Sequence, residues 1–234
     1  MPPDEHATES IRHPLTRALL VLTFTTGIVD AVSYLGLGRV FTANMTGNVV
    51  LLGFGIVGAA KLPVLAPLIS LAAFLIGGVA GGLLAGLLEK RRPIHLSTAL
   101  ATEALFVTIA VLLVAIFDVR PGSAAGDAVI AVLAFAMGVR NATVRKIAVP
   151  DLTTTVLTMT LTGLAAESRL AGHSGKGTTR RTAAIVAMFT GALAGALMVK
   201  SSLVLPLIVA VALVLVAWLT YLPSAVRARS TAQR

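Results

Sequence analysis

The sequence contains no cysteine and few charged residues. The absence of cysteine excludes disulfides, thiolate metal sites and cysteine nucleophiles, although it does not identify a compartment. Charged residues make up 12% of the chain and hydrophobic residues 56%, whereas soluble domains carry about 25% charged residues. A soluble fold of 234 residues has too little interior for so much apolar sequence. We therefore expect an integral membrane protein surrounded by the lipid bilayer.

Motifs of hydrolytic enzymes are also missing. The chain has no H-E-x-x-H and no G-x-S-x-G, and its four histidines lie near ends or loops. We therefore predict no enzymatic activity, no metal site and no cofactor. The formal net charge of +9 does not predict nucleic-acid binding, because the basic residues flank the apolar runs, as membrane topology requires.

Six apolar runs are long enough to cross a bilayer, which takes about 20 residues. Two further runs, 40–60 and 152–167, carry polar interruptions: Thr42–Asn48 in the first, and a series of threonines in the second. Non-helical backbone is allowed at membrane depth where protein or a water-filled cavity surrounds it, so we expect two broken or re-entrant segments. The six spans are predicted at about 15–37, 64–88, 96–117, 127–147, 182–199 and 202–222.

The distribution of basic residues chooses between topologies. If the two broken runs return to the side from which they came, fourteen Lys and Arg lie inside, four lie outside, and Arg140 is intramembrane. If all eight runs cross, the triplet 90–92 falls outside instead. The positive-inside rule favours the first topology. We therefore expect a multi-pass protein of the cytoplasmic membrane, with both termini, residues 88–95 and residues 168–181 in the cytoplasm.

The chain also repeats itself. Residues 27–31 (GIVDA) resemble 138–142 (GVRNA), and 82–86 (GLLAG) resemble 191–195 (GALAG). Each half contains a span, a broken segment, a span with small residues, and another span. With three spans per half the halves must have opposite orientations, which predicts an all-α membrane protein of two inverted repeats, a common transporter plan. The predicted divisions are a polar tail at 1–13, repeats at 14–120 and 121–223, and a basic tail at 224–234.

Two long motifs resemble the YoaK family of bacterial membrane proteins, a domain of unknown function. They are GIVDAVSYLGLGRVFTANMTGN at 27–48 and VPDLTTTVLTMTLTGLA at 149–165. The resemblance covers about residues 15–222. It implies a multi-span protein of the bacterial inner membrane and does not supply a substrate.

Asp30 is the leading candidate site residue. It lies about 10 Å from the outer end of the first span, where an aspartate costs about 2.5–3.5 kcal/mol on insertion scales. We expect it to face the protein interior, either as a proton or cation site or as a structural carboxylate. Its counterpart in the repeat is Asn141, which cannot ionise. We expect it to lie close to Asn44, Thr46 or Asn48, with hydroxyls and amides as its partners rather than a tight ion pair.

The two breaks supply the other candidate contacts. In the first, Asn44, Thr46 and Asn48 either line a site for an ion or polar solute or form a tight turn. In the second, Thr155 and Thr158 contribute to a hydroxyl stripe if the segment is helical, with Thr154, Thr158 and Thr162 as an overlapping one. Threonines also bond to their own helix or join helices, which is the structural alternative.

Arg140 lies in an apolar run and is a further candidate. It either extends its charge to the membrane surface, pairs with Asp30 or Glu103, or attracts an anion. Small-residue faces with glycine at 78, 82 and 86, and at 191 and 195, favour close helix packing within the chain or in a homo-oligomer.

These features predict a small secondary transporter or channel-like permease for a polar solute or ion, with its site at the interface of the repeats. The alternative is a membrane scaffold or sensor subunit that does not transport. An intramembrane enzyme fits less well, because the acids and ligands that such chemistry needs do not converge in the sequence.

Overall fold

The computed structural model describes residues 13–88, 92–147, 149, 152 and 154–231. No strand occurs among these residues, so the predicted all-α fold is confirmed. The described helices are α1 Pro14–Gly36, α2 Met45–Ile56, α3 Leu65–Leu87, α4 Arg92–Ile116, α5 Ala124–Ile147, α6 Thr158–Ala166, α7 Thr178–Val199 and α8 Val204–Thr231.

Six of these helices are long and apolar enough to cross a membrane, namely α1, α3, α4, α5, α7 and α8. Large apolar side chains point outward from them; Leu75, Leu83 and Phe189 are each about two-thirds exposed. A soluble protein would hide such side chains, whereas lipid accepts them. The chain is therefore a multi-pass membrane protein, and the six predicted spans are confirmed.

The two interrupted runs form the short helices α2 and α6, as their polar sequences predicted. Each packs mainly against the long helix that follows it, α2 on α3 and α6 on α7. Each also exposes apolar side chains, among them Phe54 on α2 and Met159 on α6. At about 1.5 Å per residue, neither is long enough to cross a bilayer.

Helices α1 and α5 form the centre of the bundle. In their most apolar stretches, 67% and 61% of the residues are buried, against 17–33% in the other four spans. α1 packs against α7 and α8, α5 packs against α3 and α4, and α4 packs against α8. The GIVDA and GVRNA motifs therefore lie on the two central helices, which gives their side chains access to the interior.

Glycines bring α1 and α7 into backbone contact. A Cβ at Gly27 would collide with the carbonyl oxygen of Met188, and one at Gly191 would collide with that of Phe24. Further along the same crossing, a Cβ at Gly195 would lie 2.9 Å from the Cα of Ile28. Along the crossing, residue numbers increase in the same direction on α1 and on α7, so the two helices run parallel.

The same contact recurs between α5 and α3. A Cβ at Gly77 would collide with the carbonyl oxygen of Phe135, and one at Gly138 would collide with that of Phe74. A Cβ at Gly81 would lie 3.0 Å from the Cα of Val139. α5 and α3 therefore also run parallel, and in both crossings the first helix of one half meets the small-residue span of the other half.

Helices α1 and α5 cross the bundle in opposite directions. Leu37 after α1, Pro63 before α3 and Pro121 before α5 line one cavity, so α1 ends where α5 begins. We call this the cavity end. At the opposite end, Trp218 near the end of the α8 span donates from Nε1 to the Ser97 hydroxyl at 2.7 Å. Pro14 at the start of α1 lies at that opposite end too.

The structure corrects one predicted glycine face. The sequence paired residues 82–86 with 191–195, but Gly77 and Gly81 make the contacts that match those of 191 and 195. A Cβ added at Gly78, Gly82 or Gly86 would meet no heavy atom within 4 Å. Packing of Gly82 and Gly86 within the chain is therefore wrong as predicted. Gly78 does lie at the crossing through its backbone, because a Cβ at Gly138 would lie 2.8 Å from the Gly78 nitrogen. A homo-oligomer through the open face stays a prediction.

Some predicted features lie outside the described residues. They include nearly all of the N-terminal tail, Pro150, Asp151 and Thr153 in the second broken segment, and the last three residues of the C-terminal tail.

The glycine contacts predict opposite effects for two matched substitutions. Gly191→Ala should lower the stability of the protein by about 1–3 kcal/mol, because the new methyl group overlaps the Phe24 carbonyl. Gly82→Ala should leave stability unchanged or raise it by up to about 1 kcal/mol, because alanine favours helix and the space is open. Thermal unfolding of the purified variants in detergent measures both, and equal effects would contradict the assignment of the packed face.

Candidate functional site

Asp30 holds the backbone of the first break in place. Its Oδ1 accepts the N–H of Thr42 at 3.2 Å and the N–H of Ala43 at 3.0 Å. These amides precede α2 and have no helical partner, and an unsatisfied amide within a membrane costs several kcal/mol. No ion pair to Asp30 occurs within the described part of the chain. No tight ion pair forms, as expected, but the partners are the backbone N–H groups of Thr42 and Ala43 and not the predicted side chains of Asn44, Thr46 or Asn48.

Asn48 closes the same break against α3. Its side-chain oxygen accepts the Phe41 N–H at 2.9 Å, and its amide nitrogen donates to the Phe41 carbonyl at 2.6 Å and to the Ser70 hydroxyl at 3.0 Å. Ser70 in turn donates to the Phe41 carbonyl at 2.7 Å. Asn44 caps α2, where its side-chain oxygen accepts the Gly47 N–H at 3.4 Å. This geometry is that of a fixed turn, and it satisfies the polar atoms of Asn48 from within the chain.

Asn141 holds the second break. Its side-chain oxygen accepts the Thr155 hydroxyl at 2.5 Å, and its amide nitrogen donates to the Met137 carbonyl at 2.8 Å. Thr155 is buried, and so is Thr154, which has a φ of +63°. The hydroxyl of Thr154 has no hydrogen-bond partner. α6 begins only at Thr158, and no side chain caps its N-terminus.

Asp30 and Asn141 therefore have corresponding structural roles in the two halves. The two residues are 111 positions apart in the sequence, and each is the polar residue on a central helix that binds the break of its own half. The chemical difference is that one is a carboxylate and the other a neutral amide. Of these two positions, only Asp30 can carry a charge.

Two of the predicted site residues lie apart from these clusters. Thr46 and Thr158 are both exposed. The Thr162 hydroxyl donates to the Thr158 carbonyl at 2.9 Å, which is the local back-bonding that threonine often makes in a helix. Thr154 precedes α6 instead of lying on it, so the predicted stripe of Thr154, Thr158 and Thr162 does not form on one helical face.

Arg140 is buried in the bundle and paired. Its NH2 group lies 2.9 Å from Glu103 Oε1, and the side chains are 2% and 1% exposed. Its NH1 group donates to the Leu22 carbonyl at 2.6 Å and to the Thr26 hydroxyl at 2.8 Å. The structure therefore selects pairing with Glu103 among the three alternatives. One guanidinium joins α5 to α4 by charge and to α1 by hydrogen bonds.

Several participating residues were not among the predicted site residues. Ser70 and Thr26 contribute hydroxyls, and His95 is buried with its Nε2 3.3 Å from the Thr143 hydroxyl. Single Ser and Thr residues in apolar runs are common, so no sequence signal separates these from others. His95 immediately precedes the predicted span at 96–117, so the sequence placed it near an end of the run and gave no signal that it would be buried.

An open cavity lies at the cavity end of the bundle. It has a volume of about 700 Å³, and Tyr34, Arg39, Lys61 and Asp127 are among the residues that line it. Tyr34 lies one helical turn beyond Asp30 on the same face of α1. Its ring stacks on Phe41 with 5.0 Å between centroids, and Phe41 immediately precedes Thr42. This aromatic pair therefore borders the cavity through Tyr34 and the first break through Phe41.

The buried ion pair predicts strongly non-additive substitutions. Arg140→Met and Glu103→Gln should each lower stability by about 3–5 kcal/mol, because each leaves an uncompensated buried charge. The double variant should lose much less than the sum, which unfolding in detergent can measure as a double-mutant cycle. Arg120→Gln, at an ion pair that is 75% and 70% exposed, is the control and should change little. Additive losses would show that the pair does not act as a unit.

Comparison with known proteins agrees with the membrane architecture. A family model described as "Protein of unknown function (DUF1275)" matches residues 18–220. The chain is 35% identical over 147 residues to the UPF0700 transmembrane protein YoaK of Bacillus subtilis (strain 168), which covers 62% of this chain and 64% of that relative. The match thus spans less than two-thirds of the relative's length. No solved structure matches the chain. The predicted YoaK resemblance is confirmed, and the chain belongs to the DUF1275 family.

Proposed function

We propose that the protein is a small secondary transporter or channel-like permease for a polar solute or ion. The observation that carries the proposal is the pair of broken segments, each held by a polar residue of a central helix. Broken helices at the interface of two repeats are a recurring transporter design. The opposite directions of α1 and α5 support an inverted repeat, and the open cavity supports access from one side.

In this proposal the aromatic pair of Tyr34 and Phe41 is the barrier at the cavity end. Opening it would connect Asp30 to the cavity, and a shift of α1 against α5 would connect Asp30 to the opposite end. Asp30 carries the proton or cation that couples to the solute, while Asn44 and the second break supply neutral contacts. Alternating access of this kind needs both ends to open in turn.

One observation favours the scaffold alternative. The amide of Asn48 is satisfied within the chain by Phe41 and Ser70, which is what a purely structural turn requires. A solute-dependent rise in the unfolding temperature in detergent would favour transport, because a ligand that binds the folded state stabilises it. A scaffold should show no such rise with any small solute.

We also propose that the cavity end is external and the opposite end cytoplasmic in the bacterial inner membrane. The four basic residues expected outside are Arg39, Lys61, Arg120 and Lys200, and the first two line the cavity. The positive-inside rule supports the assignment of the more basic opposite end to the cytoplasm.

The orientation can be measured directly because the chain has no cysteine. In intact cells, an impermeant thiol reagent should label Lys200→Cys and leave Lys176→Cys unlabelled until the membrane is permeabilised. Both side chains are exposed, so access rather than burial decides the result. The reverse pattern would refute the orientation, and labelling of both positions would refute the topology.

Transport coupling through Asp30 predicts a separation of folding from activity. Asp30→Asn should insert and unfold like the native protein, because an amide oxygen can still accept the N–H groups of Thr42 and Ala43. The amide oxygen of Asn141 likewise accepts a bond from its own break, from the Thr155 hydroxyl. Proton- or cation-driven uptake into proteoliposomes, screened across candidate solutes, should be lost. Asp30→Ala is the control for structure, and loss of the acceptor should cost about 1–3 kcal/mol of stability. Native uptake rates in the Asn variant would exclude coupling through Asp30.

A further inference from the structure

The hydroxyl of Thr42 is an unused ligand beside the Asp30 carboxylate. Thr42 is fully buried, and its Oγ1 has no hydrogen-bond partner. The N–H of the same residue donates to Asp30 Oδ1 at 3.2 Å. The hydroxyl and that N–H belong to the same residue, so the hydroxyl is part of the buried turn that the Asp30 carboxylate holds. Buried hydroxyls without a partner are uncommon, and a missing ion is one of their explanations.

The charges at this depth do not balance. Two carboxylates, Asp30 and Glu103, and one guanidinium, Arg140, lie in the middle of the described bundle. Arg140 is already paired with Glu103 and holds two acceptors on α1. The N–H groups that reach Asp30 are dipoles rather than charges. One negative charge therefore remains in a region where an uncompensated charge is costly.

We propose that Asp30 and Thr42 bind a small monovalent cation of the Na⁺ class. The inference rests on the proposed function and names its coupling ion. The carboxylate supplies the charge, the hydroxyl supplies a neutral oxygen, and water or the oxygen of a solute completes the shell. The N–H donors of Thr42 and Ala43 hold the carboxylate on one side and leave its remaining acceptor positions for the ion.

A monovalent ion fits better than a divalent one. Sites for Ca²⁺ or Mg²⁺ combine several oxygens with more than one carboxylate or with phosphates. No group of three or more His, Cys, Asp or Glu side chains that could hold a metal occurs within the described residues. A single carboxylate balances one positive charge, so binding of a monovalent cation leaves the middle of the bundle neutral.

The ion would reach this site from the cavity end. Tyr34, one turn above Asp30, lines the cavity, and Phe41, next to Thr42, stacks on its ring. The second half offers a comparison. Thr154 is also buried with an unpartnered hydroxyl. Its neighbour in the sequence, Thr155, donates its hydroxyl to the neutral Asn141. Without a carboxylate, that position has no charge with which to hold the cation.

The test uses the purified full-length protein in detergent. The unfolding temperature is measured while NaCl replaces choline chloride at constant ionic strength. The native protein should unfold at a higher temperature as Na⁺ rises, with a saturable midpoint. Thr42→Val removes the hydroxyl but keeps the N–H, and should weaken the midpoint by about tenfold or more. Thr42→Ser restores the oxygen and should retain the native midpoint, whereas Asp30→Asn should abolish the response.

Controls separate this site from general salt effects and from the transport proposal. Thr154→Val should respond to Na⁺ like the native protein. A native midpoint in Thr42→Val, or no response to Na⁺ in the native protein, would overturn the cation site. If Thr42→Val does not fold, binding of radioactive Na⁺ to native protein and to Asp30→Asn decides the question, since equal binding would refute the site. Saturable Na⁺ binding without any flux in proteoliposomes would refute transport and leave the cation site standing. Proton-driven flux without Na⁺ binding would refute the cation site and support transport.

Discussion

The bilayer interior has no water with which to satisfy backbone N–H and C=O groups, and the arrangement of polar residues in this protein follows from that constraint. Continuous helices meet it by themselves. The segments before α2 and α6 cannot, because their backbone is not helical. Asp30, Asn48 and Asn141 provide the missing partners. Polar side chains are concentrated at the breaks because the backbone requires them there, and any solute site must be built from the same groups.

The glycine crossings explain how the two central helices can be interior and polar together. Contact of α1 with α7 and of α5 with α3 through glycine leaves little room for other groups between each pair. The side chains on the remaining faces of α1 and α5 then point into the bundle. The charged side chains on these two helices have different partners. Arg140 on α5 has a carboxylate partner, whereas the described partners of Asp30 on α1 are backbone N–H groups. The proposed coupling role of Asp30 rests on this difference.

The parts of this site that depend on local sequence could be predicted, and those that depend on neighbours could not. Hydropathy defined the six spans, and a lone aspartate in an apolar run marked Asp30. The partner of Arg140 stayed open among three possibilities because the choice depends on which helix lies beside α5. The glycine face of α3 was assigned wrongly because Gly77 and Gly82 both begin an i, i+4 pair of small residues, and only packing against α5 selects one. Thr158 is exposed because α6 begins there, a boundary that the threonine spacing did not indicate.

The double attachment of Arg140 bears on how the halves could move. Its bond to Glu103 joins α5 to α4, and its bonds to Leu22 and Thr26 join α5 to α1. A shift of α1 would break the hydrogen bonds to neutral acceptors, each worth about 1.5–3 kcal/mol when the donor is charged. It would leave the guanidinium with its counter-ion, so no bare charge would form in the membrane. Asp30, which travels with α1, holds Thr42 and Ala43 and would carry the first break with it. The ion pair would thus allow α1 and its break to move as a unit, which is the motion that the proposed alternating access to Asp30 requires.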